Sequence, residues 1–228
     1  MRGSVNAVDG STSMRIVLLG APGSGKGTQA QRLRDERGIP QVSSGDLLRD
    51  AVARGTELGK RAKAAMDAGE LVSDEIVLGL IRERLSRPDA AAGFILDGYP
   101  RNVAQAAELD RLLADIGQPI DAVVLMDIDP AVLFRRLTGR RTCPQCGKVF
   151  NIYTSPSTRG DHCDNPDGAQ LVQRPDDRED VIENRLRVYA NHTRPLIDHY
   201  RQRGLLKVVA ADGPVERVYR DFLQAAGG

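Results

Sequence analysis

Short, mostly apolar stretches recur at residues 16–19, 93–96, 122–128 and 206–209, interrupted only by Asp127 and Lys207. Runs of this length without strict alternation predict strands buried on both faces of a sheet. Between them, residues 29–37, 74–86, 102–116, 130–138 and 178–203 are rich in Ala, Leu, Arg and Glu and predict helices. Strands alternating with helices imply an α/β chain with a parallel sheet covered on both faces. Ligands on such sheets collect at the carboxyl ends of the strands, where Gly20 and Asp97 fall. Two stretches break the alternation. Residues 43–72 predict short helices punctuated by Ala and Gly, with no strand. Residues 139–177 hold turn residues, β-like pieces at 148–153 and 171–173, and all three cysteines. Both read as insertions over the ligand edge.

Composition narrows the picture. Of 228 residues 41% are hydrophobic but only 4% aromatic, with no Trp, so the core must be mostly aliphatic. A net charge of +1 gives no general attraction to nucleic acid or anionic membrane, which leaves any cationic function to arginines placed locally. No apolar run is long enough to span a bilayer. Residues 1–13 are small and polar, without the apolar stretch of a signal peptide, and Met14 opens the first strand. They read as a leader outside the fold, and the absence of a targeting signal points to the cytoplasm.

The strongest chemical signal is Gly20-Ala21-Pro22-Gly23-Ser24-Gly25-Lys26-Gly27-Thr28, placed between the first strand and the first helix. Gly20, Gly25 and Lys26 have the spacing of the phosphate-binding loop G-x-x-x-x-G-K-[ST], with Gly27 where the generic loop has a hydroxyl and Thr28 one place later. Backbone N–H groups, a helix N-terminus and one ammonium aimed at the same point suit a nucleoside triphosphate. Asp97 ends the second apolar run, a position from which a carboxylate serves Mg²⁺ through water. Arg49, Arg101, Arg136, Arg140, Arg174 and Arg185 fall at segment junctions, and guanidinium groups that converge there would bind two anionic substrates.

From Met14 almost to its end the chain resembles the adenylate kinases of the long-lid type. The resemblance rests on the phosphate loop with its Gly27, Ser43-Ser44-Gly45-Asp46-Leu47-Leu48-Arg49, Leu71-Val72-Ser73-Asp74-Glu75, Asp97-Gly98-Tyr99-Pro100-Arg101, Gly139-Arg140-Arg141 and Gln173-Arg174-Pro175-Asp176-Asp177. It implies a P-loop nucleoside monophosphate kinase fold. The core would be residues 14–42, 73–138 and 178–228, with a helical monophosphate-binding insertion at 43–72 and a β-rich lid at 139–177. It also implies reversible, Mg²⁺-dependent transfer, ATP plus AMP giving two ADP, by a monomer. ATP would be held by Gly23, Ser24, Gly25, Lys26, Gly27, Thr28, Arg136, Arg140, Val149, Phe150 and Ala210. The positions matching the AMP site are Ser44, Arg49, Glu70, Leu71, Val72, Gly98, Tyr99, Pro100, Arg101 and Gln105. Gln105 would meet the adenine edge, and Arg174 and Arg185 would span the transferred phosphoryl. Lys26, Asp97, Arg101, Arg136, Arg140, Arg174 and Arg185 would carry the chemistry. Ser44 stands where many members have Thr and keeps the hydroxyl.

Cys143-Pro144-Gln145-Cys146, with Cys163 after sixteen intervening residues, resembles the structural zinc site in the lid of some adenylate kinases. Asp167 is the expected fourth ligand, with His162 and Asp164 as rivals; the alternative is three free thiols, or one disulfide and a spare. Two other functions are weighed against this one. A different nucleoside monophosphate kinase, GTP-dependent or acting on UMP and CMP, shares the loop, but the UMP–CMP group resembles short-lid forms. A zinc ribbon binding nucleic acid, with the loop as a switch, would need a basic stripe with aromatic stacking groups, which residues 143–167 lack.

Overall fold

A computed structural model describes residues 14–166 and 168–227. Strand β1 (Met14–Leu19) leads through the glycine loop into α1 (Lys26–Arg37), and β2 (Gln41–Ser43) into α2 (Ser44–Ala53) and α3 (Glu57–Asp67). Helix α4 (Asp74–Leu85), β3 (Gly93–Asp97), α5 (Val103–Asp115), β4 (Ala122–Asp127) and α6 (Pro130–Thr138) continue the alternation. A two-stranded antiparallel piece follows, β5 (Arg140–Thr142) with β6 (Val149–Asn151). The chain closes with α7 (Glu179–Val188), α8 (Leu196–Gln202), β7 (Leu206–Ala210) and α9 (Val215–Ala226).

The main sheet is parallel, in the order β2-β3-β1-β4-β7. Because successive side chains point to opposite faces, its apolar strands fill two cores. Val17, Leu19, Phe94, Leu96, Val123 and Leu125 pack with α4, α5 and α8 on one face. Ile16, Leu18, Ile95, Val124 and Met126 pack with α1 and α9 on the other. Helix starts are marked by side chains that accept the first free N–H groups: Ser43 from Asp46, Thr56 from Gly59, Asn102 from Gln105 and Asp129 from Ala131.

Several expectations need correction. The strand β2 is not predicted by the pattern, since three residues carry too little periodicity. Residues 178–203 do not form one helix: a π-helical turn at Tyr189–Thr193, followed by Pro195, separates α7 from α8. Helix α1 begins at Lys26 rather than 29. Residues 171–173 form no strand of their own; Val172 makes a single antiparallel bridge to Thr142. The leader reading of residues 1–13 lies outside the described residues.

Helices α2 and α3 touch backbone to backbone. A Cβ at Gly59 would stand 2.1 Å from the Ala51 carbonyl oxygen and 2.6 Å from the Val52 nitrogen, and backbone cannot yield as a side chain can. Gly59→Ala is therefore expected to lower stability by about 1–3 kcal/mol, the usual cost of overpacking. Urea unfolding with an unchanged midpoint would refute the close approach.

Candidate active site

The carboxyl ends of β1, β2 and β3 open into a cleft of about 590 Å³, walled further by α2, the segment before α4, and residues of 136–155 and 174–193. Its floor is the glycine loop. Gly20, Gly23 and Gly25 have φ of 144°, 83° and 95°, which L side chains rarely adopt, and a Cβ at Gly20 would also sit 2.8 Å from the Met126 carbonyl oxygen. Lys26 folds back over this loop, donating to the carbonyls of Gly20 at 2.7 Å and Ala21 at 2.9 Å. Burial lowers its pKa to about 8; Asp97 acts against that shift, and Arg101, Arg140 and Arg185 add to it.

Asp97 ends β3 beside the loop and accepts from Gln41 Nε2 at 3.1 Å. Gly27 faces it: a Cβ there would lie 3.6 Å from Asp97 Oδ2, so the missing side chain leaves room next to the carboxylate. That room and the nearby Thr28 suit a hydrated Mg²⁺, which favours few, well-placed oxygens.

The six arginines expected at junctions all line the cleft. Arg140 forms a two-pronged pair with the fully buried Asp177, Nε to Oδ2 at 2.6 Å and Nη2 to Oδ1. Arg185 Nη1 donates to Asp177 Oδ1 and to the Asp176 carbonyl, both at 2.8 Å. Arg49 donates to Asp46 Oδ1 at 2.6 Å, and Arg174 Nε to Thr142 Oγ1 at 3.0 Å. Arg101 has no carboxylate partner within salt-bridge distance among the described residues, and its Nε donates to the Gly98 carbonyl at 2.8 Å. Burial, then Arg185, pulls its pKa down to about 10; burial, then Arg49 and Arg140, does the same for Arg174. Two groups this cationic and this desolvated gain most from an arriving anion.

At the far end, Ser44 Oγ donates to the Gly98 carbonyl at 2.6 Å, and Gln105 is buried between Arg101 N and Asp74. Glu70 is held by Asn184 Nδ2 at 2.8 Å. Gly23, Ser24, Gly25, Thr28, Leu71, Val72, Gly98, Pro100, Val149 and Phe150 also line the cleft. Two expected residues do not. Tyr99 is wholly buried, its Oη reaching the Gln105 carbonyl at 3.4 Å, and Ala210 ends β7 outside the lining, where Ala211, Asp212 and Gly213 take its place. Sequence reasoning missed Gln41, Asp46, Asp176 and Asp177 as parts of the site; only the run Arg174-Pro175-Asp176-Asp177 signals the last two.

The thiols of Cys143, Cys146 and Cys163 lie within 4.8 Å of one another, and Cys143 and Cys163 pack with Phe150 in a small separate core. Burial would raise the Cys143 thiol, but hydrogen bonds from backbone groups of Cys146 and Gln145 bring it down to about 7. Among the described residues no carboxylate or imidazole joins the three sulfurs. Asp164 Oδ1 accepts from Ser157 Oγ, Thr158 N and Thr158 Oγ1, and His162 Nδ1 pairs with Asp161. Asp167 lies outside the described residues.

A parallel sheet whose first strand feeds a phosphate loop, under a cleft crowded with arginines, defines a phosphotransferase of the P-loop class. Comparison with known proteins narrows the class. The adenylate kinase family description matches residues 18–205. The chain is 58% identical over 211 residues to the adenylate kinase of Nitrosococcus oceani, covering 92% of this chain and 97% of that one. It is 54% identical to that of Thermodesulfovibrio yellowstonii (92% and 97% covered) and 48% identical to that of Archaeoglobus fulgidus (92% and 96%). The chain belongs to the adenylate kinase family. No described helix is long and apolar enough to cross a membrane.

The lowered pKa of Lys26 has a measurable consequence. Above about pH 8 the free ammonium loses its proton, whereas bound polyphosphate favours the charged form, so binding must take a proton up. Calorimetry of a non-hydrolysable ATP analogue in buffers of different ionisation enthalpy should show uptake growing above pH 8, with Kd rising up to about tenfold per pH unit. Lys26→Arg should abolish the uptake. Proton-neutral binding by the unaltered chain at about pH 9 would show that Lys26 stays charged without nucleotide.

Proposed function

We propose that this chain transfers the γ-phosphoryl of ATP to AMP, reversibly, giving two ADP, with ATP over the glycine loop and AMP at the Gln105 end. One observation carries the reading: the cleft has two chemically different ends, with Lys26, Arg101, Arg140, Arg174 and Arg185 gathered between them. Lys26 and the amides of residues 23–28 would hold the ATP phosphates, with Arg136, Val149 and Phe150 alongside. Ser44, Arg49, Glu70, Leu71, Val72, Gly98, Pro100 and Gln105 would receive AMP, and Arg49 and Arg101 would clamp its phosphate. No general base is required, because the AMP phosphate oxygen is already ionised and a loose transition state needs alignment and charge neutralisation.

Asp97 and Thr28 would hold Mg²⁺ through water. The metal supplies charge neutralisation between the β- and γ-phosphoryl groups. Residues 43–72 and 139–177 serve as flaps over the AMP and ATP ends. They meet across the cleft, with Arg174 Nη2 3.8 Å from Asp46 Oδ1 and Arg49 Nη1 3.9 Å from Asp176 Oδ2. Their meeting keeps out water, the competing nucleophile. The reading takes the enzyme as a cytoplasmic monomer, as the family likeness implies.

A coupled assay of ADP formation across a panel of nucleoside mono- and triphosphates tests the assignment, with ATP and AMP expected as the best pair. Arg101→Lys should raise the KM for AMP about tenfold or more while sparing the KM for ATP, since an ammonium cannot reproduce the guanidinium fork. A rise for ATP alone would reverse the two ends.

The three thiols, with Asp167 as fourth donor, would hold one structural zinc, since soft sulfur donors in a closed set of four leave no position for substrate. Protein prepared without chelator should carry one zinc per chain. Stripping it should lower the melting temperature while transfer at low temperature persists, because binding energy at such a site is folding energy and no ligand touches phosphate. Metal analysis that finds no zinc, with all three thiols titratable, would dispose of the site, and Asp167→Ala should loosen the metal.

A further inference from the structure

Asp74 does not line the cleft, yet it determines which way round Gln105 presents its amide there. Gln105 Oε1 accepts from Arg101 N at 2.6 Å, and Gln105 Nε2 donates to Asp74 Oδ1, also at 2.6 Å. A backbone N–H can only donate and a carboxylate can only accept. Turning the amide over would set N–H against N–H and oxygen against carboxylate, in a side chain that is 1% exposed. Asp74 is itself fixed. It opens α4, where a negative charge is favoured, and Asn102 Nδ2 lies 3.3 and 3.4 Å from its two oxygens. Asn102 Oδ1 in turn caps Gln105 N at 2.8 Å, so both ends of the residue are held by one network.

The geometry points to Asp74 as a positioning residue that sets the base choice of the monophosphate site. The inference rests on the reading of the Gln105 end as the adenine pocket. With the amide locked, one lone pair on Oε1 and one proton on Nε2 remain for a base. Adenine offers an amino donor at N6 and an acceptor at N1 and matches both. Hypoxanthine offers an acceptor at O6 and a donor at N1 and matches neither. A glutamine free to turn over would serve either base; Asp74 and Arg101 N together remove that freedom. Discrimination of this kind depends on leaving buried polar groups unpaired when the wrong base enters.

Asp74→Asn keeps the size but replaces an obligate acceptor by a group that also donates. The kcat/KM for AMP relative to inosine monophosphate should fall about tenfold or more, the scale of one charge-assisted hydrogen bond, with the KM for ATP unmoved and the melting temperature lowered only by the few degrees that loss of a helix-start charge costs. If Asp74 merely supports the fold, both monophosphates lose alike, the ratio stays, and the proposal is overturned. Gln105→Leu separates the two layers. If it leaves the KM for AMP unchanged, the pocket reading has failed and the inference with it. If it raises that KM while Asp74→Asn spares the ratio, the orientation argument alone has failed. The unaltered chain gives a second check that needs no variant. Without nucleotide, the Gln105 Nε2 proton given to Asp74 should be protected from solvent exchange relative to its geminal partner; two protons that exchange equally fast would overturn the lock.

Discussion

Arg140 and Arg185 reach the same buried carboxylate, Asp177, from different parts of the chain, and Arg185 lies 3.3 Å from Asp176 as well. Without these carboxylates the cleft would gather guanidinium groups and Lys26 at close quarters with little water to screen them. Burial raises the Asp176 carboxyl, yet Arg185, Arg49, Arg140 and Arg174 hold it below the ordinary carboxylate range. The acids therefore pre-assemble the cations. Arg101 and Arg174, whose guanidinium pKa values are pulled down, keep the unmet demand for negative charge that a phosphoryl group can answer. The charge is local: the whole chain carries only +1.

That arrangement depends on the sheet. Parallel order brings the ends of β1 and β3 side by side, with Leu18 opposite Asp97 in the register. The phosphate loop and the acidic strand end thus meet through backbone pairing, not through long side chains. Tight turns at Gly20, Gly23 and Gly25 then let α1 start directly under the cleft. Each neighbouring strand is buried on both faces, so the floor of the site belongs to the most rigid part of the molecule.

Much of this was legible in the residues. Four of the five parallel strands announce themselves as apolar runs, and the loop from Gly20 to Thr28 has few other uses. The missing strand, Gln41–Ser43, is too short for a pattern and pairs only because Val42 and the end of β3 lie in register. The break between α7 and α8 is signalled by Pro195 and by the weak helix formers Asn191, His192 and Thr193; only the π form of the turn at Tyr189–Thr193 has no signature in the sequence. The arginines could be nominated but not shown to converge. Their counter-ions were harder still, because Asp46, Asp176 and Asp177 stand inside the motifs of the resemblance while nothing in the sequence pairs them with particular arginines. Asp74 lay inside a recognised motif, but its contact with Gln105 joins residues 31 positions apart.

The same carboxylates also anchor the segment 139–177, which the proposed function reads as the flap over ATP. Arg140 stands at the start of residues 139–177 and Asp177 at their end, so their pairing clasps the two hinge strands together. Arg185, on α7, ties that clasp to the core. Asn151 Nδ2 adds a bond at 2.8 Å to the Arg136 carbonyl at the close of α6. Across the cleft the charged groups of the two segments meet in the long pairs Asp46–Arg174 and Arg49–Asp176, at 3.8 and 3.9 Å, each with a partner that has a closer bond elsewhere. At such lengths these pairs lack the direct hydrogen bonds that hold Arg140 and Arg185 to Asp177. Buried, two-pronged bonds at the base, combined with longer contacts across the cleft, favour motion of the segment as one body about that base. The guanidinium groups carried by that base, Arg140 and Arg185, then keep their mutual geometry whether the two segments are together or apart. Under the proposed function, substrate exchange would cost only the longer contacts, and each new ATP would meet cations that need no reassembly.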